Sequence, residues 1–200
     1  ASISPSRSSG GKPMEKLKFD LVFQVALCVS DLDAILENWK KYVDFDETTL
    51  VRRSTKDAFE RGGWEGHNYN EKPCVFFQKY ARFTLGNIDF EIIEPVSKEP
   101  GNPYSDFLLQ NGGCNGIHHI GVKLASSDAL HGQMHALGIP VMNKCEMGPV
   151  LSDGTRKSCE FYDLREVLGM IVESCSVVVG PLADDPRAGN PADFSDAANG

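Results

Sequence analysis

From residue 18 to 29 the chain reads KFDLVFQVALCV, apolar at nearly every position. Such a run predicts a strand covered on both faces. Behind it, Leu32, Ile35, Leu36, Trp39 and Val43 recur at the spacing of an amphipathic helix, with Ser30 placed to cap it. Strand-like runs follow at 48–53 and 74–80, and Gly86-Asn87 marks a two-residue hairpin feeding a strand over 88–94. Between them, residues 55–73 carry Gly62, Gly63 and Gly66 with Trp64, His67 and Tyr69. That composition predicts a long glycine-rich loop, able to serve as a lid.

The pattern then repeats. Residues 117–124 form a second apolar strand, and Leu130, Met134 and Leu137 mark a second helix behind Ser126, ended at Gly138-Ile139-Pro140. Strands at 141–145, 157–163 and 170–176 follow, the first two joined by a turn through Asp153-Gly154. Setting Gln24 on His119, an offset of 95, also superposes Val25 on Ile120, Leu27 on Val122 and Asp33-Ala34 on Asp128-Ala129. Two βαβββ modules are therefore expected, over 17–96 and 116–179, in an α+β fold. Side by side they form a cupped, eight-stranded mixed sheet. The Ser-rich residues 1–16 and the acidic stretch 180–200 lack core residues and are expected to be disordered. Met14 reads as a natural start, and what precedes it as an expression remnant.

Composition narrows the partners. At 41% hydrophobic and 24% charged the chain can bury an ordinary core, and no apolar run approaches the ~18 residues of a membrane span. Twenty Lys+Arg against 28 Asp+Glu leave a charge of −8, which repels phosphate backbones. Neither nucleic acid nor membrane is expected as a partner. The six Cys stand singly with no C-x-x-C, and read as reduced thiols packed in the strands of a cytoplasmic protein.

Four polar residues interrupt the apolar strands: Gln24, Glu91 within IDFEIIEP, His119 within IHHIGV, and Glu173 within GMIVES. A carboxylate buried in a strand core needs a compensating charge. Two of them at matching places in two modules point to one shared divalent cation. Side chains alternate along a strand, so only one of His118 and His119 is expected to enter the cup, and the repeat selects His119. Taken singly, Gln24 reads as a satisfied core amide, each Glu as an edge charge and His119 as a bonded core imidazole. Their joint placement is what points to a metal. Val22, Ala26, Ile117 and Gly121, which flank these positions, are expected to wall the cup with Phe76 and Phe161. His131 and His135 lack the glutamate of an H-E-x-x-H motif and read as a surface pair.

The segments FQVALCVSDLDAILENW, FEIIEP, GIHHIGV and FYDLREVLGMIVES resemble the vicinal oxygen chelate superfamily over about 17–179. The text is most similar to its methylmalonyl-CoA epimerase branch. The resemblance implies one metal ligand from the first and one from the last strand of each module: Gln24, Glu91, His119 and Glu173. That order looks like animal-type glyoxalase I, whereas the epimerases usually begin with His. Cys28, Pro95 and Asn115 stand where glyoxalase I has its glutathione contacts, and Cys74 stands near the epimerases' second Glu. Gln24 departs from the His, His and Glu of the extradiol dioxygenases. Co, Mn, Ni, Zn or Mg each suit the ligand types.

The resemblance implies a metal-dependent epimerase or racemase acting α to a carbonyl through an enolate, with a ketone or acyl-CoA as substrate. Glu173 is the expected base and Glu91 the second catalytic candidate. Gln24 with a water, Cys74, Glu60 and Glu65 remain open for the opposite face. Alternatives are a glyoxalase I-type lyase on a hemithioacetal and a non-enzymatic small-molecule binding or resistance protein. A homodimer is expected.

Overall fold

β1 (Phe19–Cys28), apolar on both faces, lies at the middle of a single curled sheet. It pairs in parallel with β6 (Ile88–Pro95) and antiparallel with β7 (Gly116–Leu124). Beyond β6 come β5 (Gln78–Leu85) and β2 (Val51–Ser54). Beyond β7 come β10 (Met170–Cys175), β9 (Lys157–Leu164) and β8 (Val141–Met147). The two βαβββ modules thus meet along β1 and β7. The computed structural model describes residues 16–192 and 194, apart from 62, 63, 125, 126, 148, 149, 153 and 155, with backbone alone at 64–66, 127–129 and 147. The expected disordered residues 1–15, the Ser126 cap and the Asp153 turn position lie outside the described residues.

Helices α1 (Leu32–Tyr42) and α4 (Ser127–Ala136) cover the outer face. Leu32 and Leu36 of α1 pack on Phe83 and Ile92, and Leu130 and Met134 of α4 on Val122, Tyr162 and Val172. Asp31, not Ser30, caps α1: its carboxylate accepts from the Ala34 N–H at 3.0 Å. The Ser30 N–H is instead held by the Asn115 side chain at 2.9 Å.

Ten strands are present rather than eight, because 55–73 is not a loop. It forms α2 (Thr55–Glu60), β3 (Trp64–Tyr69) and β4 (Lys72–Cys74), and β3 pairs with β8 at the far edge of the second module. The β3–β4 turn has Asn70 at φ 49 and Glu71 at φ 63. Turns of this left-handed kind are found in sequence by their glycine, and a glutamate there gives no signal. The Tyr69 hydroxyl donates to Asp106 at 2.8 Å, tying the hairpin to α3 (Pro103–Gln110). That helix is capped by Asn102, which accepts from the Tyr104 and Ser105 N–H groups. Its Tyr104 and Leu108 cover Ala26, Cys28 and Ile93 on the inner face. α5 (Arg165–Leu168) is one turn between β9 and β10.

The segment read as a mobile acidic tail is packed through the described residues. Val178, Val179 and Ala188 are buried against Leu21, Phe23, Phe161, Ile171 and Cys175. The Asn190 amide accepts from the Val178 N–H at 2.8 Å and donates to the carbonyls of Val178 and Ala183 at 2.8 and 3.0 Å. One amide bridging three backbone groups outweighs the composition of the stretch. Among the described residues no helix is long and apolar enough to cross a membrane.

Asn190→Ala should cost about 1–3 kcal/mol in urea denaturation, since it orphans buried backbone groups. An unchanged midpoint would mean that the segment is not docked. His67 stacks on Phe76 at 4.0 Å, and burial lowers its pKa from the ordinary 6.5 to about 3. The unfolded chain therefore takes up the proton first. Stability due to this residue should be complete above pH 6.5 and lost as pH falls toward 3. Denaturation midpoints of wild type and His67→Phe across that range check it: the variant should lose part of the pH slope.

Candidate metal centre

Cross-strand partners share a face, so the register lays out the inner floor. One row runs Asp89, Gln24, Gly121, Glu173, Phe161 across β6, β1, β7, β10 and β9. The next runs Glu91, Ala26, His119, Ile171. Gln24, Glu91, His119 and Glu173 thus surround the two smallest residues of the floor, Ala26 and Gly121. A Cβ on Gly121 would lie 2.9 Å from the Gln24 Cβ and 3.2 Å from its Oε1. The amide oxygen of Gln24 therefore occupies space that any larger residue would fill.

The orientation of that amide is set from behind. Gln24 Nε2 donates to Asp89 Oδ2 at 2.7 Å, and a carboxylate accepts but does not donate, so Oε1 faces Gly121. Asp89 in turn lies 3.7 Å from Arg82 Nε. Gly180, at φ 73, closes over it: a Cβ there would come within 2.6 Å of the Asp89 Cβ. Asp89 and Arg82 were not anticipated from sequence. The signal for Asp89 was its position two residues before Glu91, on the same strand face.

His119 Nε2 and Glu173 Oε2 are 3.3 Å apart, in side chains 1% and 9% exposed. Neither atom has a hydrogen-bond partner. Burial pushes the Glu173 carboxyl up, but His119 and Lys157 beside it outweigh burial and hold it down at about 2. Glu91 goes the other way. Burial raises it to about 7, with the neighbouring His119 opposing. The ligand atoms of Glu91, His119 and Glu173 do not gather as one set within 4.8 Å; among the described residues Cys159, Glu173 and Cys175 do.

His118 does not point to the other face, as strict alternation requires. The pairing steps from Ala26–His119 to Leu27–Ile117, a bulge that leaves His118 unpaired. Its ring is buried against Tyr104 and Phe107, with Nδ1 2.8 Å from His119 Nδ1. Val22 and Ile117 also leave the predicted wall, at 40% and 62% exposed, each beside a register shift. Ala26 and Gly121 lie on the floor, Phe161 meets the His119 ring edge-on at 5.0 Å, and Phe76 sits under the hairpin against His67. Glu60 is exposed on α2, Cys74 lines the hairpin, and the Glu65 side chain lies outside the described residues. His131 contacts the Tyr162 hydroxyl at 3.3 Å on the α4 side, away from the floor.

The floor is covered by α3, the hairpin and the C-terminal segment. A cavity of about 620 Å³, lined by His67, Asn68, Pro73, Cys74, Lys144 and Cys145 among others, lies beside the hairpin.

No protein-family model and no curated protein matches the chain. Solved structures are similar to it in the course of the chain. A Streptomyces coelicolor methylmalonyl-CoA epimerase variant in complex with 2-nitronate-propionyl-CoA is 18% identical, over 80% of this chain and 97% of that one, at a TM-score of 0.45. Methylmalonyl-CoA epimerase from Mycobacterium tuberculosis is 13% identical, over 78% and 87%, at 0.44. A hypothetical protein from Bacillus halodurans is 20% identical, over 78% and 92%, at 0.48.

Gly121→Ala should cost about 1–3 kcal/mol by overpacking the floor. Gly132→Ala, on the exposed side of α4 with nothing within 4 Å, should be neutral or stabilising by about 0.5–1 kcal/mol. Urea melts of both variants check the pair, and equal effects would show that the floor is not tightly packed.

Proposed function

We propose, for a chain with the vicinal oxygen chelate fold, a metal-dependent epimerase or racemase acting on the carbon α to a carbonyl. The observation that carries this reading is the pair His119 Nε2 and Glu173 Oε2, buried and without hydrogen-bond partners beside the oriented amide oxygen of Gln24. Buried polar atoms left unpaired cost free energy unless a cation joins them. His119, Glu173 and Gln24 would hold a divalent ion, and Glu91 would complete the set by turning toward His119. Bound there, such an ion supplies Lewis acidity toward a substrate carbonyl.

The chain's own part is proton transfer. Inverting a carbon α to a carbonyl needs one group to take the proton and another to return it on the opposite face. Glu91 and Glu173 stand on neighbouring rows either side of His119, and their proton affinities are pushed apart, to about 7 and about 2. Two carboxylates separated in this way are suited to acid and base roles. Lys79, Arg82 and Lys123, the cations nearest the rim, already face Glu94, Asp89 and the Ser176 carbonyl. A ketone without phosphates therefore fits this face at least as well as an acyl-CoA.

In D₂O, racemisation of a ketone or thioester substrate should exchange the α-proton. Glu91→Gln and Glu173→Gln should each lower racemisation roughly 10²–10⁴-fold, as an amide is no base near neutral pH. Each variant should still exchange one enantiomer, through the carboxylate that remains. Full racemisation by both variants would remove these residues from the mechanism. Turnover of a hemithioacetal without exchange into other ketones would favour the lyase.

A further inference from the structure

The six cysteines stand singly in sequence, yet the sheet brings three of them into one line. Cys145 on β8 is opposite Cys159 on β9, which is opposite Cys175 on β10. The line continues outward through His67 on β3, opposite Cys145, to Cys74 on β4, opposite His67. Its outer end lines the 620 Å³ cavity, and its inner end reaches the floor beside Glu173. Cys145, Cys159 and Cys175 are buried and reduced. One carboxylate oxygen of Glu173 and the sulfurs of Cys159 and Cys175 all lie within 4.8 Å of one another.

We propose that Cys159, Cys175 and Glu173 bind one soft cation of the zinc class, with Cys145 beside them as a further sulfur donor. Thiolates select soft d¹⁰ ions over magnesium or manganese, so this position differs in kind from the one at His119. A tetrahedral ion with sulfurs at ~2.3 Å needs them ~3.8 Å apart, which rotation about a single Cα–Cβ bond supplies from the observed separation. An independent feature points to the same place. Glu173 Oε2 is buried with no hydrogen-bond partner, so its carboxylate has coordination capacity that the protein leaves unused. Lys157, buried on the same face of β9 two residues before Cys159, offsets the negative charge that the thiolates add. Binding is a ligand exchange without redox change: each thiol that ligates gives its proton to solvent. The site shares only Glu173 with the proposed catalytic centre and does not rest on that function.

The test uses full-length, reduced, metal-free protein carrying Cys74→Ser and Cys114→Ser, which remove the two less buried thiols. Titration with Co²⁺ should give sulfur-to-metal charge-transfer bands and intense visible bands of a tetrahedral ion, saturating at one equivalent. Cd²⁺ should displace the Co²⁺ and release about two protons per ion, one from each ligating thiol. Cys159→Ala should abolish the sulfur bands, and Cys145→Ala should leave them or reduce them by about a third. His119→Ala should leave them intact, which separates this site from the catalytic one. Absence of sulfur bands in the unaltered buried line would overturn the proposal, and needs no variant to fold. Bands that survive Cys159→Ala would also overturn it. Thermal stabilisation by Mn²⁺ without sulfur bands would leave the catalytic reading standing and this one refuted.

Discussion

The antiparallel pairing of β1 with β7 is the contact on which the other features depend. It joins the two modules, and its register sets Ala26 against His119 and Gln24 against Gly121. Because β6 and β10 add in parallel on either side, Glu91 and Glu173 arrive on the same floor. A shift of one residue along this seam would turn every one of those side chains to the helix-covered face. The bulge at His118 belongs to the same seam. It lets two adjacent imidazoles contact each other on the inner side, which regular alternation forbids.

Charge is concentrated on the floor, with Asp89, Glu91 and Glu173 together on one inner face and Arg82 and Lys157 among them. Burial strengthens each interaction and penalises each group left without a partner. The result is uneven. Glu173, beside His119, keeps its charge easily, while Glu91 is pushed toward the neutral form. Gln24 takes no part in this titration, yet Asp89 determines which end of its amide reaches the floor.

The elements that cover the floor come from outside the repeat. The β3–β4 hairpin leaves the first module and pairs with the last strand of the second, α3 fills the link between modules, and the C-terminal segment closes from the other side. They make the site more enclosed than a bare cup of eight strands, and they bring Cys74 and His67 into line with three buried thiols.

The central strands, both outer helices and the repeat follow from the sequence because each rests on local period. Continuous apolar runs and three-to-four spacing survive whatever the neighbours do. The four interrupting residues were visible for the same reason, since a Gln, a His or a Glu inside an apolar strand stands out against its own segment. Other features depend on pairing between distant segments. The hairpin turned on Glu71 in a left-handed conformation, the docking of residues 177–192 on one asparagine amide, and the bulge at His118 carry no local signature. Alignment of Cys145, Cys159 and Cys175 is of this kind too. Single cysteines at positions 145, 159 and 175 become neighbours only when three strands hydrogen-bond in one register, and only tertiary structure sets that register.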